Sequence, residues 1–293
     1  MKKRSTIIMV LFFFIGLLVL LYPSISEFYN QKVQSKSIVD YESLLKKIDK
    51  NKYDKIFEEA DEYNSNLRNL HDQFIDYRNL DNYKKILDVD GHGMIGYVSI
   101  EKIRVELPIY HGTSDTVLSN ASGHLEGTSF PIGGIGTHSA ISAHRGLASA
   151  TLFTNLDKLE VGDTFTITVL DRLITYEIDK ILIVDPKDID SLKITDDKDY
   201  VTLITCTPYG INSHRLLVRG KRIENAKKKM FITTEAFKVS TLIVTPLVAL
   251  PIVFTLLVII IFTPVEYNFN YIKKKYVYPS MTKGGIKVDK KKY

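Results

Sequence analysis

The chain has 293 residues, with 39 Lys and Arg against 34 Asp and Glu, and a formal charge of +5. That surplus is too mild to argue for a nucleic-acid partner. A single cysteine, Cys206, excludes an internal disulfide framework and a cysteine-based zinc site. The length suits one or two domains plus extra segments.

Lys2, Lys3 and Arg4 precede an uncharged run from Thr6 to Tyr22. At ~17 residues the run is near the lower limit for a transmembrane helix, and it also suits a signal-peptide core. Ser24-Ile25-Ser26 is a poor small-residue cleavage site, which favours retention, and the basic flank places the N-terminus in the cytoplasm. From Ser37 to Leu70 the pattern is helical: Tyr53, Ile56, Phe57, Ala60, Tyr63, Leu67 and Leu70 repeat at three- and four-residue spacing. The opposite face mixes acidic and basic charge, so its expected partner is the β structure that follows rather than a membrane.

From Ile95 the period changes to two. Strands are predicted at 95–100, 103–109, 138–143, 164–170, 173–184, 200–206 and 215–223, with a hairpin turn at Asp171-Arg172. Gly133, Gly134 and Gly136 mark a loop, and Leu152 to Leu159 reads as a short helix. At least seven short strands with few helices predict a mainly β protein, a closed barrel. A second apolar run, Val239 to Thr263, is long enough to span a bilayer, with kinks at Pro246 and Pro251. The lysine-rich tail 264–293 is expected in the cytoplasm. Two spans put residues 23–238 outside the cell, as does a cleaved signal with one C-terminal span. A lone free thiol outside the cell leans toward chemistry.

The thiol sits at the C-terminal end of the Tyr200–Cys206 strand; Pro208 and Gly210 break the ladder, and Arg215 opens the next strand. Cys206 and Arg215 should therefore face each other across one rim. The plain alternative for a lone cysteine is a small buried hydrophobe, but neighbouring positive charge favours thiolate. A nucleophilic thiol needs a base. His71, His92, His111 and His124 lie in or beside presumed loops and helices, with solvation or local hydrogen bonding as their default, and His138 begins a strand. His214 adjoins Arg215, so the two point to opposite faces. His144 leaves its strand at an exit comparable to that of Cys206.

Thr202-Leu-Ile-Thr-Cys206, with Arg215 nine positions on, resembles the sortase signature, and Thr207-Pro-Tyr-Gly-Ile-Asn-Ser-His-Arg215 is similar to its pilin-polymerising class C branch. Gly123-His-Leu-Glu-Gly-Thr-Ser129, Ser142-Ala-His-Arg-Gly146 and Leu152-Phe-Thr-Asn-Leu-Asp-Lys-Leu159 also resemble that family, in its order, so that the likeness covers roughly 95–223. The resemblance implies an eight-stranded sortase-type β-barrel with short helices, to which periodicity and hydropathy add an N-terminal helical extension and transmembrane helices at both ends. The expected division of the chain is a tip and span at 1–22, an extracytoplasmic helical segment at 23–94, a barrel at 95–225, a linker at 226–238, a span at 239–263 and a tail at 264–293.

It further implies Cys206 as the nucleophile that becomes an acyl-thioester, His144 as general acid and base, and Arg215 as stabiliser of the oxyanion or substrate. Thr205 is a supporting residue, and no cofactor or metal is implied. The implied substrates are pilins or surface proteins with a Leu-Pro-x-Thr-Gly-like sorting signal, cleaved between Thr and Gly. The acceptor is a pilin lysine or, in the wall-anchoring branch, a cell-wall precursor amine; the lipid bilayer is the other partner. Class C enzymes carry an Asp-Pro-aromatic lid. In the corresponding place, around 70–76, stands Asp72-Gln73-Phe74. Asp72 is expected to pair with Arg215 and Phe74 to cover Cys206, on a loop less stiff for want of proline. The rival functions are a non-catalytic surface-binding barrel with Cys206 merely packed, and a thiol hydrolase that releases peptides.

Overall fold

The computed structural model describes residues 2–225 and 253–254. The expected linker, second span and tail lie outside the described residues, apart from the helical pair 253–254. Residues 13–225 belong to one compact unit; residues 2–12, the first turns of the opening helix, and the pair 253–254 belong to another.

Helix α1 spans Lys2–Leu45 and carries Pro23 in its interior. Sequence pattern predicts an end to the apolar run at Tyr22 and a new helical pattern from Ser37; the helix is instead continuous. No second proline and no glycine lies between Ser24 and Leu45, so nothing in that stretch breaks the hydrogen-bond ladder. Among the described residues α1 is the one helix long and apolar enough to cross a bilayer, with an 18-residue window of mean hydropathy 2.0. The break comes later. The Asp49 carboxylate accepts from the Asn51 backbone N–H at 3.1 Å, a local bond that competes with helix, and α2 then runs Asn51–Arg68. The expected single pattern over 37–70 is therefore two helices.

Eight strands follow: β1 Met94–Ile100, β2 Val105–His111, β3 Ser122–His124, β4 Thr137–Ser142, β5 Thr164–Val169, β6 Arg172–Val184, β7 Asp199–Thr207 and β8 His214–Ile223. They close into a barrel in the order β1-β2-β3-β4-β7-β8-β6-β5. The β2–β3 and β4–β7 pairs are parallel and the rest antiparallel. Single-turn helices α3 (Gln73–Asp76) and α4 (Asp115–Leu118) and four 3-10 turns decorate the loops. The β5–β6 turn is at Leu170-Asp171, one residue earlier than expected, with Leu170 at φ +53°. Strand β3 escaped the period-two reading because it is three residues long and centred on Gly123. A Cβ there would meet the Gly112 carbonyl oxygen at 2.2 Å, so only glycine allows β3 to lie so close to that loop.

The barrel interior is filled by Ile95, Val98, Ile109, Ile167, Ile174, Leu203 and Val218, and α2 adds Tyr53, Phe57, Ala60, Tyr63 and Leu67. The amphipathic face thus meets the barrel, as its mixed-charge polar side predicts. Each fully buried side chain of this kind contributes about 1.5–3 kcal/mol. Helix α1 docks separately. The Tyr41 hydroxyl donates to the Ile95 carbonyl and accepts from the Leu170 N–H, both at 3.0 Å. Burial pushes its pKa well above the usual phenol value. Asn30 Nδ2 donates to the Ser149 carbonyl, and Gln34 Nε2 to the Asn120 carbonyl, each at 2.7 Å.

Two histidines expected at unremarkable positions are buried. His124 lies on β3, not in a solvated loop; its Nε2 donates to the Ser129 carbonyl at 2.8 Å and its Nδ1 faces the Tyr83 hydroxyl at 2.9 Å. His138 donates from Nδ1 to the Lys193 carbonyl and receives the Thr202 hydroxyl at Nε2. Each neutral ring has one donor and one acceptor satisfied, and a second proton would bury its charge away from water. Burial lowers their pKa values to about 3 and about 4. Because the folded values lie below the unfolded one, the stabilisation is present above pH ~6.5 and is lost as pH falls toward 4 and then 3. Stability should drop by up to about 1.4 kcal/mol per pH unit for each ring. Urea unfolding between pH 7 and 4.5 checks this, with a shallower slope expected for His138→Gln.

Candidate active site

Strands β4 and β7 run parallel, with Ser142 opposite Ile204, so their C-terminal ends share one end of the barrel. The pairing continues past the strand: the Ala143 N–H donates to the Ile204 carbonyl at 3.1 Å, and Thr205 Oγ1 donates to the Ala143 carbonyl at 2.8 Å. His144 follows one residue after Ala143, and Cys206 one residue after Thr205. Strand β8 runs antiparallel to β7 and places Arg215 directly opposite Cys206.

Alternation along the strands decides which way these side chains point. Val201, Leu203, Leu216 and Val218 belong to the interior cluster. Ala140, Ile204 and Leu217 form a second cluster with Leu192, on the outer face of the wall. Cys206 and Arg215 share the parity of Ile204 and Leu217, so both lie on the outer face at one end of β7 and β8, and His144 follows two residues after the end of β4. Cys206, His144 and Arg215 are each partly exposed, and the thiol is free. Thr205 has the opposite parity and is buried; its hydroxyl bond to the Ala143 carbonyl fastens the segment leading to His144 against β7. Arg215 Nη1 donates to the carbonyls of Asn212 (3.3 Å) and His214 (3.2 Å).

A second tie was not legible from spacing. Arg145 Nη1 donates to Thr207 Oγ1 at 3.3 Å, and Nη2 pairs with Asp157. Its guanidinium also lies over the Tyr209 ring at 5.8 Å. Arg145 therefore joins the turn after His144 to the strand exit after Cys206. Gly146, at φ +75°, lets the Tyr209 ring approach; a Cβ there would meet it at 3.2 Å. The available signal was an arginine and an aspartate inside two otherwise weakly charged motif segments.

The loop before the barrel lies on this groove. Phe74 packs against the Ala140, Leu192, Ile204 and Leu217 cluster, and Ile204 is two residues from the thiol. Asp72 forms no ion pair with Arg215 among the described residues: its carboxylate caps α3 by accepting from the Phe74 N–H at 2.9 Å, and Arg215 is turned to its own loop. Gln73 is more than a missing proline. Its Nε2 donates to the Gly127 carbonyl at 2.9 Å and its Oε1 accepts from the Ile194 N–H at 3.0 Å, so the segment is tied to two barrel loops by bonds that proline cannot make. The expected loss of stiffness is offset there. Gln73→Ala with Phe74→Ala should speed labelling of Cys206 by a small electrophile several-fold; an unchanged rate would make the segment a spacer.

Among the described residues no group of three or more His, Cys, Asp or Glu is placed to hold a metal. A cavity of about 690 Å³ lies at the opposite end of the barrel, lined by Asp61, Arg172, Asp199 and Arg222 among others, away from the thiol.

A closed eight-stranded barrel of this strand order, with a partly exposed thiol paired opposite a guanidinium at one end, defines the class to which the chain belongs. The chain belongs to the sortase family. Residues 98–223 match the family described as Sortase domain. In solved structures it is similar to sortase C1 from Streptococcus agalactiae, 47% identical, covering 65% of this chain and 100% of that one at a TM-score of 0.61. It is also similar to sortase C from Clostridium perfringens, 41% identical, covering 65% and 99% at a TM-score of 0.55. Its structural neighbours are thus class C sortases. Among characterised sequences it is 32% identical to Sortase D of Bacillus subtilis over 44% of this chain and 63% of that protein. It is 31% identical to Sortase A of Streptococcus agalactiae over 39% and 47%. The chain spans less than two thirds of the length of these two relatives.

Proposed function

We infer that the protein is a membrane-anchored cysteine transpeptidase that cuts a Leu-Pro-x-Thr-Gly-like sorting signal between Thr and Gly and passes the acyl group to an amine, with a pilin lysine as acceptor. The observation that carries this reading is the pairing of Cys206 directly opposite Arg215 on β7 and β8, beside the C-terminal end of β4 after which His144 follows.

The Cys206 thiolate attacks the Thr carbonyl carbon, and the carbonyl electron pair moves onto oxygen. The Arg215 fork donates to that oxygen or to the substrate backbone beside it, where charge develops. Collapse expels the Gly amine, which takes its proton from the His144 imidazolium and leaves a thioester. The incoming amine gives a proton back to His144 as it attacks, and the thiolate departs. Arg145 holds the imidazole-bearing turn against the strand exit while this happens.

Mass spectrometry of products from a sorting-signal peptide, offered with a pilin-lysine peptide, a wall-precursor amine and no amine, tests the assignment. Peptide joined to the lysine supports polymerisation, joining to the precursor moves the protein to wall anchoring, and release unaffected by either amine makes it a hydrolase. No cleavage at all leaves a binding barrel.

A further inference from the structure

The polarity of α1 against the barrel fixes which end of the barrel faces the apolar run. Taken from its N-terminal side, α1 first touches Ser149 through Asn30 and then Asn120 through Gln34. Ser149 is in the loop after His144, and Asn120 lies just before β3, whose Gly123 pairs with Ser142 at the C-terminal end of β4. Both contacts are at the end of the barrel that holds the thiol. Only afterwards does α1 reach Ile95 and Leu170 through Tyr41, and these lie at the opposite end, where β6 begins. The helix therefore arrives at the thiol end and leaves toward the far pole.

The apolar run ends at Tyr22; the uncharged residues after it reach Ser26, and Glu27 and Asn30, both buried against the protein, follow within about one turn. At a rise of ~1.5 Å per residue, Ser26 and Asn30 are about 6 Å apart along the axis. Exposed apolar side chains continue along α1 up to that contact: Tyr22, Ile25, Phe28 and Tyr29. The loops flanking the thiol match this surface. From Gly146 to Asn155 and from Thr207 to Ser213 there is no charged residue, and the second loop exposes Tyr209 at 61% and Ile211 at 72%. Tyrosine with an aliphatic neighbour on an uncharged loop suits the headgroup boundary. The acidic turn after β6, with Asp185, Asp188 and Asp190, stands on the other side of β8, which leaves one flank of the groove open to water.

We propose that the thiol end of the barrel is a membrane-facing surface, with the Thr207–Ser213 loop seated in the lipid headgroup layer through Tyr209 and Ile211, so that the groove opens along the bilayer. This rests on the reading of α1 as a retained span, and it gives that reading a consequence: a substrate held by its own membrane segment meets the groove without leaving the surface, at high effective concentration.

Full-length protein carrying Cys206→Ala and one new thiol, at Ile211→Cys, Ala148→Cys or Ile135→Cys, is labelled with a polarity-sensitive fluorophore and reconstituted into phosphatidylcholine vesicles containing nitroxide lipids. Ile135 is 75% exposed and precedes β4 at the far pole, so it serves as the reference. A blue shift and several-fold stronger quenching at 211 and 148 than at 135, in protein that resists carbonate extraction, is expected. Equal quenching at all three positions in carbonate-resistant protein would overturn the orientation and leave the span intact. Extraction by carbonate would overturn the span and the orientation together.

Discussion

Cys206→Ala should give a folded protein that forms no thioester adduct with a sorting-signal peptide and no transpeptidation product. The thiol is partly exposed at the last turnless residues of β7 and is free, so its removal empties little packed volume and strands no buried partner. The chain has no other cysteine to take its place, and water near the scissile carbonyl gains nothing from a methyl group. Intact-mass measurement after incubation with the peptide, beside thermal unfolding of the same sample, checks both halves. An adduct that survives in the variant would place the nucleophile elsewhere and end the assignment.

Arg215→Ala should lower kcat by about a hundred- to thousandfold with a much smaller change in KM. Arg215 stands across from Cys206 in the strand register, on the groove side of the wall, and it uses Nη1 for two carbonyls of its own loop. These are bonds an incoming oxyanion can replace without breaking an ion pair, since Asp72 is committed to capping α3. Arg215→Lys should recover little of the rate, because an ammonium has neither the planar fork nor the reach to bond the oxygen and the backbone beside it together. Single-turnover acylation separates this step from deacylation; equal losses in KM and kcat would make Arg215 a substrate-binding group alone.

The barrel was legible because its longer strands alternate and are rich in β-branched residues, and seven of the eight were found to within a few residues. Strand β3 was not, since three residues built around Gly123 carry no period. The thiol and guanidinium were legible from the short connection between two strands, which forces cross-strand pairing. The imidazole was harder: β4 reaches β7 only by a long crossover, and parallel pairing leaves no local mark, so His144 rested on its strand exit and on family resemblance. The helical segment before the barrel was readable as amphipathic, but its break at Asp49 depends on one side-chain bond to Asn51. The Gln73 ties to Gly127 and Ile194 and the Arg145 bridge to Thr207 and Asp157 join segments far apart in the chain. Such pairings have no signature in spacing.

The parallel seam between β4 and β7 has a consequence for when activity begins. Its tie from Thr205 to Ala143 spans 62 residues, and β8 must still follow before Arg215 comes opposite the thiol. Contacts so distant along a polypeptide are slow to close. In an unfolded nascent chain the thiol and the guanidinium therefore have no fixed relation, and Arg215 comes opposite Cys206 only once β7 and β8 have paired.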